Sequence, residues 1–347
     1  VSILLPPTIT EGFCAPARNR GTSMAFRECT QADIARMAGV SQKTVNLALR
    51  GAPGVNAETR KRIRTLAHEQ GYRVNAAARA IRKGRFGVAA MLIRVDQVYL
   101  PARLLAGVTR ELTEHGMHMT LAEVPDEKMV SDGFVPQILR EMCADGLLLD
   151  CVPANHVSTI RLLQSHNIPA VWINSLQEAD CVYPNDFSAS RAATAELIRL
   201  GHRRIGYYGV HYSRTGIHHY SETDRLSGYL QAMHEAGLSP RTISFQCGGA
   251  QRRGGPDDER VAAARELLSD PERPTAVVTY TIMSAGPAAH AADQLGLRMP
   301  EDLPVVTFHA DPVTEHGTAM KAWIIPMAEV GRKAVRMLLE KIERPNV

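Results

Sequence analysis

Long apolar runs are missing from this 347-residue chain. No stretch approaches the roughly 18 apolar residues that cross a bilayer as a helix, which excludes an integral helical membrane protein. Paired cysteines are missing too. Cys14, Cys29, Cys143, Cys151, Cys181 and Cys247 form no C-x-x-C and no tight cluster. A disulfide framework and a zinc knuckle are therefore excluded, no metal site is expected, and the cysteine usage fits a reducing cytoplasm. Catalytic signatures are equally scarce. His202, His218 and His219 belong to no H-E-x-x-H, and no G-x-S-x-G occurs. The glycine-rich 248–255 segment lacks the Lys-Ser/Thr of a phosphate loop and reads as a surface loop. No enzyme and no cofactor are expected.

What is present is a charge asymmetry. Hydrophobic residues make up 45% and charged residues 22%, as in ordinary globular proteins. The net charge of +4 divides into +1 over residues 1–23, +9 over 24–85 and −6 over 86–347. A basic piece on a mildly acidic body suits a nucleic-acid-binding head. A solvated basic face without a partner is equally compatible with charge alone. Residues 1–26 show no helical or strand period and form an expected disordered tail. Pro6-Pro7 breaks the only apolar run there, no positive segment precedes it, and Met24 is a candidate start. The tail is thus a poor export signal, which argues against a secreted solute-binding protein.

Residues 27–72 carry the pattern of three short helices. Thr30 and Asp33 form T-x-x-D, a hydroxyl N-cap with an acid in the first turn. Ile34, Ala35 and Ala38 give a small apolar stripe, and Gly39 suits a turn that needs positive φ. Ser41 is a second N-cap, before a helix with Val45, Ala48 and Leu49 inward. Small residues around a tight turn let two helices cross closely, as in a helix-turn-helix whose second helix enters the major groove. On that helix Gln42, Lys43, Asn46 and Leu47 point outward. Gln reads adenine, Lys reaches guanine acceptors, and Leu touches a thymine methyl. An ordinary helical hairpin with a polar outer face remains the alternative. Asn56 caps a third helix, which buries Ile63, Leu66 and Ala67, ends at Gly71, and displays Arg60, Lys61, Arg62 and Arg64.

From Phe86 the pattern changes to short β-like runs alternating with helical stretches. G-V-A-A-M-L-I, M-H-M-T-L-A-E-V, G-L-L-L-D and A-V-W-I-N alternate with helices near 102–115, 133–143 and 156–167. After Arg203 the series resumes with R-I-G-Y-Y-G-V, T-I-S-F-Q, T-A-V-V-T-Y and P-V-V-T-F-H, and helices over 224–236, 257–269 and 284–295. This spacing predicts an α/β body, 86–347, of two doubly wound parallel-sheet subdomains with a ligand cleft at the strand carboxyl ends.

The stretches T-Q-A-D-I-A-R-M-A-G-V-S-Q-K-T-V-N-L-A-L-R-G, V-N-A-E-T-R-K-R-I and G-Y-R-V-N-A-A-A-R-A-I-R resemble the headpiece and hinge of the lactose/galactose-repressor family. L-I-R-L-G-H-R-R-I-G-Y-Y-G and D-R-L-S-G-Y resemble its periplasmic-binding-protein-like sensor domain, which would cover nearly all of the remaining chain. The resemblance implies a cytoplasmic transcription regulator, a repressor, that binds palindromic operator DNA as a homodimer under control of a small-molecule effector. Thr30, Ser41, Asn56 and Thr59 would contact phosphates through hydroxyl, amide or backbone groups. Gln42, Lys43 and Leu47 would face base edges, with Asn46 and Arg50 beside them. Residues 73–85 would be the hinge, with Asn75, Ala78, Ile81 and Arg82 on the DNA and Ile81 as the minor-groove wedge.

The resemblance also makes Arg225, at the start of R-L-S-G-Y, an effector contact, with a structural salt bridge as the plain alternative. Asp150 and Asn174 end strands of the first half and Tyr99 precedes its first helix, so they are candidate contacts too, with a helix cap or loop residue as the alternative, and Tyr280 and His309 stand at pocket positions. The departures bear on this pocket. The family usually has Pro where Val74 stands, Leu at Ile81, Arg or His at Leu47, Asn-Asp at Tyr280-Thr281, Asp at His309, and Asp-Asn at Pro184-Asn185. Three explanations follow: an effector that is sugar-like but less hydroxylated, or anionic, the favoured one; a degenerate, effector-independent body; or a ring stacked on Tyr280. After the last helix, family members continue with a further strand where this sequence reads Pro345-Asn346-Val347, an arrangement expected to leave a sheet edge open.

Overall fold

The computed structural model describes residues 29–72, 84–94, 100–124, 144–150, 161, 163–212, 219–247, 258–315 and 318–344. The chain divides into two compact units, residues 1–79 and 80–347. The expected tail, most of the hinge and the helix near 133–143 lie outside the described residues, as does most of the helix expected near 156–167.

The first unit is tri-helical: α1 (Gln31–Ala38), α2 (Gln42–Arg50) and α3 (Ala57–Glu69). Its core is small. Ile34, Val45, Ala48 and Ile63 are fully buried, with Ala35, Ala38 and Ala67 beside them. Leu49 and Leu66, expected inward, are only partly buried against this core. Alanines at the crossings let the helices approach closely, as their spacing suggested.

The second unit holds two sheets. Strands β1 (Val88–Arg94), β2 (His118–Val124), β3 (Gly146–Asp150), β4 (Ala170–Ile173) and β5 (Cys181–Val182) form a parallel sheet in the order β2-β1-β3-β4-β5. Helix α4 (Ala102–Glu114) follows β1. Helix α5 (Asp186–Arg199) then leads into β6 (Ile205–Tyr212), α6 (Tyr220–Glu235), β7 (Arg241–Cys247), α7 (Asp258–Ser269), β8 (Ala276–Thr279), α8 (Ile282–Gln294) and β9 (Val305–His309). A hairpin of β10 (Val313–Glu315) and β11 (Thr318–Ile324) completes the second sheet, ordered β10-β11-β9-β8-β6-β7 and parallel except for β10.

Both sheets are covered on both faces. On β6, Tyr207 packs with Tyr229 and Met233 of α6, while its neighbour Tyr208 packs with Val261 and Ala264 of α7. Successive strand residues point to opposite faces, so a strand buried on both sides must be apolar throughout. Strand β3 meets this with an unbroken buried run, Gly146–Asp150.

Three features depart from the sequence expectation. Helix α5 and the strands β5, β10 and β11 were not anticipated. Helix α6 starts at Tyr220 rather than 224, because the imidazole of His219 caps it by accepting from the Ser221 amide. The two lobes are also not two consecutive halves of the chain. After β11 the last helix, α9 (Met327–Glu343), returns to pack on α4 and on β3 and β4 of the first sheet. Val330, Val335 and Leu338 of α9 share one buried cluster with Leu104, Val108 and Leu112 of α4.

Candidate functional site

In the tri-helical unit the local rules set the geometry. Thr30 caps α1 in a full capping box: its hydroxyl donates to Asp33 Oδ2 at 2.6 Å and accepts from the Asp33 amide at 3.3 Å. Gly39 closes α1 at φ 62°, in the left-handed region where a Cβ is strained. Ser41 Oγ accepts from the Thr44 amide at 3.1 Å, and Asn56 Oδ1 from the Thr59 amide at 2.7 Å. The side chains of Thr30, Ser41 and Asn56 are therefore engaged as caps, so an anion at these sites would meet the helix N-termini themselves.

Gln42, Lys43 and Arg50 are exposed on α2, and Asn46 and Leu47 half-buried beside them. Val45 and Ala48 occupy the opposite, buried face. The basic surface expected on α3 is only partly free for a ligand. Arg60 Nη2 donates to the carbonyls of Ala52 (2.8 Å) and Val55 (3.1 Å), and Arg62 Nη2 to that of Ala38 (2.6 Å), so both arginines hold the unit together. Lys61 and Arg64 remain exposed. Asn75, Ala78, Ile81 and Arg82 lie outside the described residues, as does Tyr99 in the body.

In the body, the strand carboxyl ends gather a polar network. Arg225 on α6 is buried, at 8% exposure. Its Nε donates to Asp186 Oδ1 at 2.7 Å and its Nη1 to the Tyr280 carbonyl at 2.6 Å. The guanidinium lies 5.2 Å from the Tyr280 ring centre and 4.8 Å from that of Phe308. Tyr220 donates its hydroxyl to Asp186 Oδ2 at 2.9 Å. Helix α5 approaches closely enough to deliver Asp186 because Gly228 lies at the crossing. A Cβ there would stand 2.3 Å from the Phe187 carbonyl oxygen.

A second chain of bonds runs from Tyr280 across to the first lobe. The Tyr280 hydroxyl lies 3.0 Å from Ser221 Oγ, which lies 2.7 Å from His219 Nδ1. Nδ1 also accepts from the Ser221 amide at 3.3 Å, so the ring proton sits on Nε2, which donates to the Asn174 carbonyl at 2.7 Å. Asn174, just past β4, adopts φ 53°. Burial holds the His219 imidazole below its ordinary pKa, with Arg225 adding to the effect against the bond to Asn174. Burial also opposes the charge on Arg225, but Asp186 and its surroundings more than offset this and raise its pKa. Burial pushes the Tyr280 phenol up to about 12.

The structure thus brings Arg225, Tyr280 and Asn174 into one network. Asp150, 4% exposed, ends β3, and His309 ends β9, where its Nδ1 accepts from the Asp311 amide at 3.1 Å. Asp311 in turn pairs with Arg103 of the first lobe at 2.6 Å. The sequence reading missed Asp186, His219, Tyr220, Ser221 and Phe308. Asp186 stands next to the Pro184-Asn185 departure and was open to suspicion as an acid opening a helix, but its partner lies 39 residues away. The salt bridge held out as the plain alternative for Arg225 is present. Among the described residues, no group of His, Cys, Asp and Glu could hold a metal ion.

Residues 30–75 match the model for bacterial regulatory proteins of the lacI family, and residues 194–347 that for the periplasmic binding protein-like domain. The chain is 29% identical to the ribose operon repressor of Haemophilus influenzae over 328 residues, 91% of this chain and 93% of that one. The chain thus joins a lacI-family helix-turn-helix domain to a periplasmic-binding-protein-like domain. With these two domains it is a DNA-binding transcription regulator controlled by small molecules, and not an enzyme. The HTH-type transcriptional repressor PurR of Actinobacillus pleuropneumoniae is a further relative, 25% identical over 322 residues, 90% of each chain. Among solved structures, the Lac repressor bound to ONPG in the repressed state superposes with a TM-score of 0.71, over 91% of this chain and 94% of that one. At 19% identity that likeness speaks for the fold alone. It extends to the lacI-family architecture of a helix-turn-helix unit and a body with two parallel-sheet subdomains. No helix among the described residues is long and apolar enough to cross a membrane.

Proposed function

We propose that this regulator is a cytoplasmic repressor that binds a palindromic operator as a homodimer. The observation that carries this reading is the outer face of α2, where Gln42 and Lys43 are exposed and Asn46 and Leu47 half-buried beside them, opposite a fully capped tri-helical core. One such helix reads a half-site, and a two-fold operator requires a pair. Gln42, Lys43 and Leu47 face base edges. The amino ends of the helices at Thr30, Ser41, Asn56 and Thr59 meet phosphates, with Asn46 and Arg50 at the edge of the face. Asn75, Ala78, Ile81 and Arg82 supply the hinge contacts.

The effector lies between the lobes, against Arg225, Tyr280, Asn174, Asp150 and Tyr99, with His309 at the rim. The names of the relatives, a ribose operon repressor and PurR, support a small polar ligand. Control follows from linkage. A ligand that binds one arrangement of the lobes better than the other shifts DNA affinity by its difference in affinity, typically about 1–3 kcal/mol. The test is a selection from random oligonucleotides at low salt, with and without candidate small molecules. Enrichment of a palindrome supports the proposal, and failure to enrich any palindrome in either condition defeats it. Enrichment that no small molecule alters favours the effector-independent alternative.

A further inference from the structure

Arg225 makes two hydrogen bonds, through Nε to Asp186 and through Nη1 to the Tyr280 carbonyl, and Nη2 has no partner among the described residues. The side chain of Asp186 is 1% exposed and that of Arg225 10%, so the pair is withdrawn from water while a little of the guanidinium still meets the cleft. Both carboxylate oxygens of Asp186 are engaged, one by Arg225 and the other by the Tyr220 hydroxyl. Asp186 also stands in the first turn of α5, where the helix amino end favours its negative charge.

The surroundings tip the balance further. Glu222, a buried acid, lies one helical turn before Arg225 on α6. An arginine in this setting offers a hydrogen-bond donor without a net positive field. A carboxylate or phosphate brought to Nη2 would find the charge of Arg225 already answered by Asp186, whereas a hydroxyl or carbonyl oxygen would need only the N–H. This weighs against an anionic effector.

We propose that Asp186 sets the charge class of the cleft: by holding Arg225 as an ion pair, it makes the site take an uncharged polyhydroxylated ligand and turn away its acidic counterpart. The inference rests on the reading of the cleft as the effector site. Asp186 is a specificity-determining residue that acts through Arg225.

The test uses the full-length protein and matched probes, D-ribose with D-ribonate and D-glucose with D-gluconate, at equal concentration and ionic strength. Binding is read by thermal shift and by calorimetry. The native protein should prefer the sugar of at least one pair, or bind neither acid. Asp186→Asn, which releases the guanidinium charge, should gain affinity for an acid relative to its sugar by on the order of tenfold to a hundredfold. Asp186→Glu, which keeps the pair, should behave as the native protein. Should Asp186→Asn fail to fold, Asp186→Ser, with room for a water beside Arg225, takes its place. A native protein that binds an acid more tightly than its sugar overturns the inference, and so does a neutral variant that gains no acid. A second readout separates this from the underlying reading. If the variant gains an acid that leaves its DNA affinity unchanged, the assignment of Asp186 stands and the regulatory role of the cleft falls.

Discussion

The imidazole of His219 ties the second lobe to the first, donating from Nε2 to the carbonyl oxygen of Asn174 at 2.7 Å. The same ring caps α6 through Nδ1, so one neutral tautomer serves both contacts. A proton on Nδ1 would abolish the cap and place a positive charge at a helix amino end beside Arg225.

This arrangement makes stability depend on pH with a definite sign. The His219 pKa is lowered in the folded protein from an ordinary value of 6.5. Its contribution is therefore complete above about pH 6.5, and is lost as pH falls from there toward the folded value, at up to about 1.4 kcal/mol per pH unit. Melting temperatures of the native protein should decline more steeply below that pH than those of His219→Gln. Equal slopes would show that His219 does not titrate in this way. The neighbouring charges are Arg225, Asp186 and Glu222, and the comparison between variants cancels the other histidines.

Gly228 should not tolerate a side chain. The Cβ of Gly228→Ala would collide with the backbone of Phe187, which has no flexible tip to yield. We expect a loss of about 1–3 kcal/mol in urea unfolding. Because Phe187 adjoins Asp186, the collision also forces α5 away from Arg225. An unchanged midpoint would mean that the two helices separate at little cost.

Arg225→Ala should be strongly destabilising as well as unresponsive to effector. It leaves Asp186 buried without its cation, a defect that typically costs about 3–5 kcal/mol. The double variant Asp186→Asn/Arg225→Gln should recover much of this loss. A double-mutant cycle by chemical denaturation measures the coupling, and additive losses would show that the pair is energetically slack.

On the DNA side, Lys43 and Arg62 should fail differently. Lys43→Ala should alter base preference at one operator position by roughly 1–3 kcal/mol. Equal weakening at all sequences would make Lys43 a phosphate contact. Arg62→Ala removes the bond to the Ala38 carbonyl, so it should speed amide exchange at the end of α1, with a loss of about 1 kcal/mol. Specificity should stay intact.

The first unit was legible in the sequence residue by residue, because its determinants are local. Thr30 with Asp33, Ser41 with Thr44 and Asn56 with Thr59 are each three residues apart, and Gly39 needs only its own φ. A short polar side chain near a helix start has one main way to satisfy the free amides, so the pattern names the structure. The alternation in the body likewise gave most strands and helices to within a few residues. Helix α5 escaped notice because its buried face, Asp186, Ser190, Ala193, Thr194 and Leu197, is no apolar stripe, and the start of α6 because histidine is an uncommon cap.

The sequence by itself therefore determined the helix caps, the reading face of α2 and the alternating layers of the body. Tertiary structure alone decided that Asp186 answers Arg225 across 39 residues and that His219 reaches Asn174 across 45. It also decided that α9 returns to the first lobe, where Arg336 meets Glu111 across 225. Local pattern reports what a residue does for its own turn or strand. Which buried charge meets which partner depends on how separately folded elements are brought together, and no periodicity carries that information.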